Sequence, residues 1–340
     1  MEKAPLQLTP AGALRFNTDT RRMEYYNGNE WVNITSTSPE VQTGGTRGGI
    51  GGGSTPTKVN NIQYQNLDSL GNLLDFGDLT QARANPGCVS SRTRAVWCGG
   101  EHPGNQNTMD YVTIASTGNA TDFGDLDGTA RYLMGAGNQV RGILSGGGYG
   151  PVSDTNAIEY VTIASTGTGS PDFGDLTTTG GSNFGAYANQ TRYVAVINRG
   201  GGGASDNVVN SVQIATTGNA IDWGDTLYVV EHTRSCSNSV RGVTMGGRYP
   251  NPTAHNSIEY GVIASLGNQL DFGDLTVARG IVGASATPTR AVVMAGATPT
   301  IVNTCDYIQI MTTGNATDFG DANTAVRESG AFSNGHGGLG

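Results

Sequence analysis

A four-residue string, Asp–Phe–Gly–Asp or its Trp variant, returns six times along the chain. It stands at 75–78, 122–125, 172–175, 222–225, 271–274 and 318–321, with the final aspartates 47, 50, 50, 49 and 47 residues apart. Two other marks keep the same phase. One is an arginine, at Arg47, Arg94, Arg141, Arg192, Arg241 and Arg290; the other is a tyrosine, at Tyr64, Tyr111, Tyr160, Tyr260 and Tyr307, replaced in the fourth copy by Ser211. Three marks in one register cannot arise by chance. A period of 40 to 50 residues with β patterning reads as the blades of a propeller.

Composition agrees. Of 340 residues, 53 are Gly and only 14% are charged, so turn formers abound and helix formers are scarce. The glycines follow no triplet period, which excludes collagen. Recurrent Ile, Val, Tyr and Phe clusters argue against disorder. Nineteen basic against 28 acidic residues give a net charge of −9, which disfavours nucleic acid as a partner. No run of 18 apolar residues occurs, so no membrane insertion is expected. The opening MEKAPLQLTP lacks the apolar core of a secretion signal. Cys88, Cys98, Cys236 and Cys305 show no CxxC spacing and are expected to be reduced and buried.

The second copy resolves into one blade. A strand over 95–98 ends at Gly99-Gly100, a loop follows, and 109–115 (MDYVTIA) alternates as a half-buried strand. A tight turn at 116–119 carries a glycine found in every copy, and 121–126 forms the outer strand. A connection then leads to 135–138, the inner strand of the next blade. The repeat enters at Thr46-Arg47 on a second strand and leaves through 331–334, which aligns with a first strand. The expectation is therefore an all-β chain with a six-bladed propeller over 46–340, closed by its C-terminal strand.

Paired glycines after the second strand, the tyrosine of the third, and Leu-Thr-x-Ala-Arg at 79–83 and 275–279 resemble kelch repeats. The wording at 113–126 is more similar still to kelch-like repeat proteins of marine cyanobacterial viruses. That resemblance covers 46–340 and implies a binding scaffold without fixed chemistry. Residues 1–34 read as a small β meander, with strands over 13–17, 22–26 and 30–34, and 35–45 as a linker. The meander resembles a short module near the start of phage tail-fibre and virion proteins. It implies attachment to other virion proteins or trimerisation, with Phe16, Tyr25, Tyr26 and Trp31 as the contact residues.

Chemistry is harder to find. The tetrads hold 12 of the 28 acidic residues, and paired carboxylates could hold calcium. Their presence in every copy favours turn capping by Asp and gap filling by the aromatic instead. The in-phase arginines, equally repeated, favour a hydrogen-bonding role over ligand capture. His102, His232, His255 and His336 sit at different phases of the repeat. They assemble no copper site, and no GxSxG elbow is present. No catalytic residue, metal or cofactor is expected.

Symmetry breaks in the loops after the second strands, at 54–60, 101–107, 149–156, 204–207, 248–256 and 297–303. Variable loops on a rigid scaffold are where recognition concentrates, and His102, Tyr149, Arg248, Tyr249 and His255 offer aromatic and charged groups there. The expectation is a non-enzymatic, tail-fibre-like adhesin, located in the virion and assembled in the host cytoplasm. Its partner would be a host-surface glycan or protein receptor. The alternatives are a capsid, neck or baseplate decoration protein and a glycan-active propeller enzyme.

Overall fold

The computed structural model describes residues 10–18, 22–33, 45–149, 154–167, 169–180, 185–197, 206–250 and 252–339. The chain divides into two compact units, 1–43 and 44–340. Almost all of the expected linker, and Ile34 at the end of the expected meander, lie outside the described residues.

In the first unit, Leu14–Asn17, Arg22–Tyr26 and Trp31–Asn33 form an antiparallel sheet in chain order. The Asn-Gly turn works as its chemistry predicts. The Asn27 carboxamide oxygen accepts from the Asn29 and Glu30 amides at 2.8 and 2.9 Å, and Gly28 takes φ +106°.

The second unit is all-β and propeller-like. Among the described residues it holds six antiparallel sheets, each built on four strands, and one short 3-10 turn at Gly337–Leu339. No described helix is long and apolar enough to cross a membrane. The second sheet shows the pattern: inner strand Gly87–Ser90, then Arg94–Cys98, Gln106–Thr113 and Thr121–Arg131. Its outer strand runs five residues past the expected 126, because Ala130 and Arg131 pair with an added short strand, Gly148–Tyr149. The other inner strands are Met134–Gly137, Gly185–Ala188, Arg234–Ser237, Gly283–Ala286 and Gly330–Ser333. The last of these pairs with Arg47–Gly51, so residues 281 positions apart share one sheet, as in the Ala331 to Ile50 register.

The tetrads join neighbouring sheets. Each aromatic is buried, from Phe123 at 1% exposure to Trp223 at 7%, and burying such a ring contributes roughly 1.5–3 kcal/mol. Each aromatic carbonyl accepts from the turn glycine of the following repeat: Gly118 to Phe76, Gly167 to Phe123, Gly218 to Phe173, Gly267 to Trp223, Gly314 to Phe272 and Gly71 to Phe319. Glycine is required within the tetrad because the backbone is left-handed and the neighbour lies against it. At Gly273, φ is +146° and a Cβ would stand 2.5 Å from the Gly314 carbonyl oxygen. The aspartates cap less than expected. Asp122 and Asp222 accept from the glycine amide two residues on. In five of the six tetrads, however, the amide of the final Asp is itself capped by an asparagine of another repeat, as at Asp78 by Asn119 and Asp274 by Asn315.

The arginines have a double role. Arg47, Arg94, Arg141, Arg241 and Arg290 lie 4.4–4.7 Å over the tyrosine of their own sheet. Their Nη1 atoms donate to carbonyls of the next repeat: Arg47 to Ile114, Arg94 to Ile163, Arg141 to Ile214, Arg241 to Ile310 and Arg290 to Leu67. A polar residue just before each tyrosine position makes a further link. Gln63, Asp110, Asn210, Glu259 and Asp306 accept from backbone amides of Thr324, Thr80, Thr177, Leu227 and Thr276. Arg83 and Arg279 of the Leu-Thr-x-Ala-Arg segments pair with Asp110 and Asp306 at 2.9 and 2.8 Å, fully buried.

Candidate functional site

Side chains of all six inner strands surround one cavity of about 60 Å³. It has room for a few waters rather than an organic substrate. The wall is made of small residues, among them Ser90, Ala136, Ser237, Ser285 and Ser333, with Tyr187 and Phe332 the large ones. At the C-terminal ends of these strands, residues 335–339 fold across the cavity and His336 lines it. His336 Nε2 meets the Ser90 carbonyl at 2.9 Å, and the Gly338 amide donates to Nδ1 at 3.2 Å. A carbonyl only accepts, so the proton sits on Nε2 and the ring is neutral. Burial pushes its pKa down to about 4.

The opposite end of the inner strands is built differently. Two residues before each described inner strand except the third stands a non-glycine residue in left-handed backbone: Asn85, Tyr132, His232, Ile281 and Glu328, with φ between 55° and 64°. The corresponding position 183 lies outside the described residues. Their backbones are linked in series, Tyr132 N to Asn85 O, Asn85 N to Glu328 O, Glu328 N to Ile281 O and Ile281 N to His232 O, at 2.8–3.2 Å. Holding non-glycine residues there costs roughly 1–3 kcal/mol each, and such strain gathers at sites where geometry matters. The side chains differ at every position while the backbone repeats.

The variable loops meet this end. Glu101, at the start of its loop, is held by Lys58 and Arg131, both at 2.8 Å. Those hydrogen bonds outweigh the opposing effect of burial and leave its pKa below the usual carboxylate range. Burial raises the Glu328 pKa, with Arg327 at 3.7 Å partly offsetting it. Arg234 is pushed down to about 10 by burial and remains a cation at neutral pH.

Of the five loop residues expected to bind, three share one loop: Arg248, Tyr249 and His255. Tyr249 is 39% exposed. His255 holds the loop through its Nε2, 2.6 Å from the Tyr249 carbonyl. Arg248 corrects the expectation of an exposed recognition group, since it is only 6% exposed. His102 is half-buried in a separate loop, where its carbonyl accepts from Gln106. The Tyr149 backbone pairs with Ala130, and its side chain lies outside the described set. The left-handed series was not legible in sequence, because Asn, Tyr, His, Ile and Glu share no chemistry.

The four expected attachment residues do not form one surface. Strand alternation places Phe16 and Tyr25 on one face with Leu14 and Met23, all 40–63% exposed. Tyr26 and Trp31 occupy the other face, where their rings meet at 5.5 Å and Arg15 lies 4.2 Å over Trp31. Arg15 also pairs with Glu24 at 2.8 Å. One face is thus satisfied internally and the other is apolar and open.

Among the described residues no three His, Cys, Asp or Glu side chains gather as a metal-holding group. The four cysteines are free and buried. No protein-family model matches the chain, and no curated protein matches it either.

Proposed function

We propose that residues 44–340 form a closed six-bladed propeller, and that the chain is a tail-fibre-like component of a phage virion. Its N-terminal sheet attaches to other virion proteins, and its loop end contacts the host surface. Closure is supported by contacts between the last and first repeats of the same kinds as those that join other repeats. Arg290 donates to Leu67, Asn72 caps the Asp321 amide, Gly71 donates to Phe319 and Gln63 accepts from Thr324.

The observation that carries the recognition role is the left-handed series at the loop end. A repeated frame there carries a different side chain in each described repeat, and those of Tyr132, His232 and Glu328 are partly exposed, which is how a scaffold varies specificity without changing shape. The attachment role is supported by the Leu14, Phe16, Met23 and Tyr25 face, because a lone three-stranded sheet is marginal unless its apolar side is covered.

A phage encoding the chain without residues 1–43, together with the purified truncated chain, tests both roles. The truncated chain is expected to fold, to remain absent from purified particles, and, added in excess, to block adsorption. Incorporation of the truncated chain would overturn the attachment role. Adsorption unaffected by saturating protein, with particles destabilised by its loss, would replace the adhesin by a decoration protein. A density map with seven wedges or an open arc would end the propeller reading.

A further inference from the structure

The hairpin between the third and fourth strands of the first repeat is built unlike its equivalents. Gln65 stands where the other repeats carry Val112, Val161, Val212, Gly261 and Ile308, each one residue before the partner of the in-phase arginine. It is buried, and its Nε2 donates to the Ser69 and Gly71 carbonyls at 3.1 and 2.9 Å. A buried amide thus replaces an apolar side chain and fixes this one turn, which lowers the cost of ordering it around a ligand. Leu70 and Leu74 take the places of Thr117 and Thr121 of the second repeat, yet they are 60% and 58% exposed.

Between this turn and its strands lies a groove of about 430 Å³, against about 230 and 170 Å³ for the equivalent grooves of the second and fourth repeats. Of the three, only the first falls in the range of small-molecule sites, about 300–1,000 Å³. Tyr64 lines it, fixed by Arg47 lying 4.6 Å over its ring and by Phe76, packed edge-on at 5.4 Å. Asn66 and Asn72 line it as well, and their oxygens are already taken, by the Asp68 and Asp321 amides at 3.0 Å each. What they leave to the groove is two NH₂ donors, and the Tyr64 hydroxyl adds a third polar group. None of the three has a partner among the described residues. Leu70 and Leu74 supply an apolar side, and no carboxylate lines the groove although the chain carries a net charge of −9.

We propose that this groove binds an N-acetylated hexosamine. Such a sugar offers C–H surface and a methyl group to Leu70, Leu74 and Tyr64, and a carbonyl and ring oxygens to the carboxamide donors. An anionic ligand suits the groove less well. Arg47 is committed to the fold, with its face on Tyr64 and its Nη1 donating to the Ile114 carbonyl at 2.7 Å. Recognition therefore falls to neutral donors, which match neutral acceptors. The strand Asn61–Asn66 starts at the variable loop 54–60 and ends at this hairpin, so the groove stands at the opposite end of that strand from the loop. It adds a ligand class to the host-surface reading at a place that reading does not use.

The experiment is a saturation-transfer NMR titration of the full chain with N-acetylglucosamine, with glucose as the ring without the acetamide. Saturable binding of N-acetylglucosamine is expected, with glucose about fivefold weaker or less. Asn66→Asp keeps the oxygen that caps the Asp68 amide but removes the NH₂ donor. It is expected to weaken binding about tenfold at an unchanged melting temperature. Leu70→Thr installs the residue found in four other repeats, at Thr117, Thr166, Thr217 and Thr313, and is expected to weaken binding about threefold. It decides the matter if Asn66→Asp does not fold. Thr117→Ala, in the groove of the second repeat, leaves affinity within about twofold. No saturable binding by the wild-type chain, equal binding of glucose, or wild-type affinity in folded Asn66→Asp would overturn the proposal. A larger loss from Thr117→Ala than from Leu70→Thr would also overturn it. Binding without any effect of N-acetylglucosamine on adsorption would leave this site standing outside host recognition, whereas absent binding would leave the loop-end role untouched.

Discussion

The Arg192 guanidinium lies 3.9 Å over the Trp223 ring, in the one repeat where Ser211 stands in place of tyrosine. In the other five repeats the arginine covers the tyrosine and the tetrad aromatic is Phe, packed edge-on against it, as at Tyr260 and Phe272 with centroids 5.9 Å apart. Two departures from the consensus therefore compensate each other: the larger tetrad ring takes over the stacking surface that the serine gave up. Arg192 still donates to Ile263 of the next repeat at 2.7 Å.

This exchange predicts strong coupling. Trp223→Phe alone is expected to lower stability by about 1–2 kcal/mol, through lost ring volume and a lost cation–π contact. Adding Ser211→Tyr restores at least half of it. A double-mutant cycle read by guanidinium chloride unfolding measures the coupling, and additive effects would refute it.

The glycines separate into two ranks. Gly273→Ala is expected to cost about 2–3 kcal/mol, because the new Cβ meets the Gly314 carbonyl in a left-handed backbone. Gly314→Ala, at φ +151° with open space around its Cβ, pays only the backbone term, about 1 kcal/mol. Thermal melts of the two variants give the order.

Protonation of His336 opposes folding. Its folded pKa, about 4, lies below the ordinary 6.5, so the unfolded chain takes up a proton first as pH falls. The contribution is fully present above pH 6.5 and is lost progressively towards pH 4, by roughly 3 kcal/mol in all. His336→Gln removes this slope. Melting temperatures across pH 4–7 that fall equally in both proteins would exclude the assignment.

Glu259 has the opposite sign. Burial, against two backbone hydrogen bonds from Leu227 and Tyr228, raises its pKa to about 7 from the ordinary 4.5. The folded state therefore holds the proton longer, and stability is lost as pH rises from 4.5 through 7. Gln63 occupies the same place in the first sheet and accepts from Thr324 as a neutral amide. Glu259→Gln is expected to melt with wild type near pH 4.5 and several degrees above it at pH 8, by differential scanning calorimetry.

The period, the all-β class and the strand order were legible because each repeat must solve the same packing problem with nearly the same residues. The tetrad glycine recurs because a left-handed backbone against a neighbour admits nothing larger, and the turn glycine because its positive φ alone disfavours a side chain. Face assignment in the N-terminal sheet was legible in principle from period-two alternation, which separates Phe16 and Tyr25 from Tyr26 and Trp31 once the register is known. Aromatic character by itself does not separate the four.

The sequence by itself determined that one wedge of β-structure would be built six times, and where each copy begins, since local pattern and turn chemistry repeat visibly along the chain. Only the tertiary structure decided what the copies do to one another. It set Asn85, Tyr132, His232, Ile281 and Glu328 in one strained backbone series, and it enclosed Arg248 beside Arg327 without an acceptor. Both follow from contacts between distant repeats, where the backbone of one neighbour fixes the conformation and burial of another whatever side chain it carries.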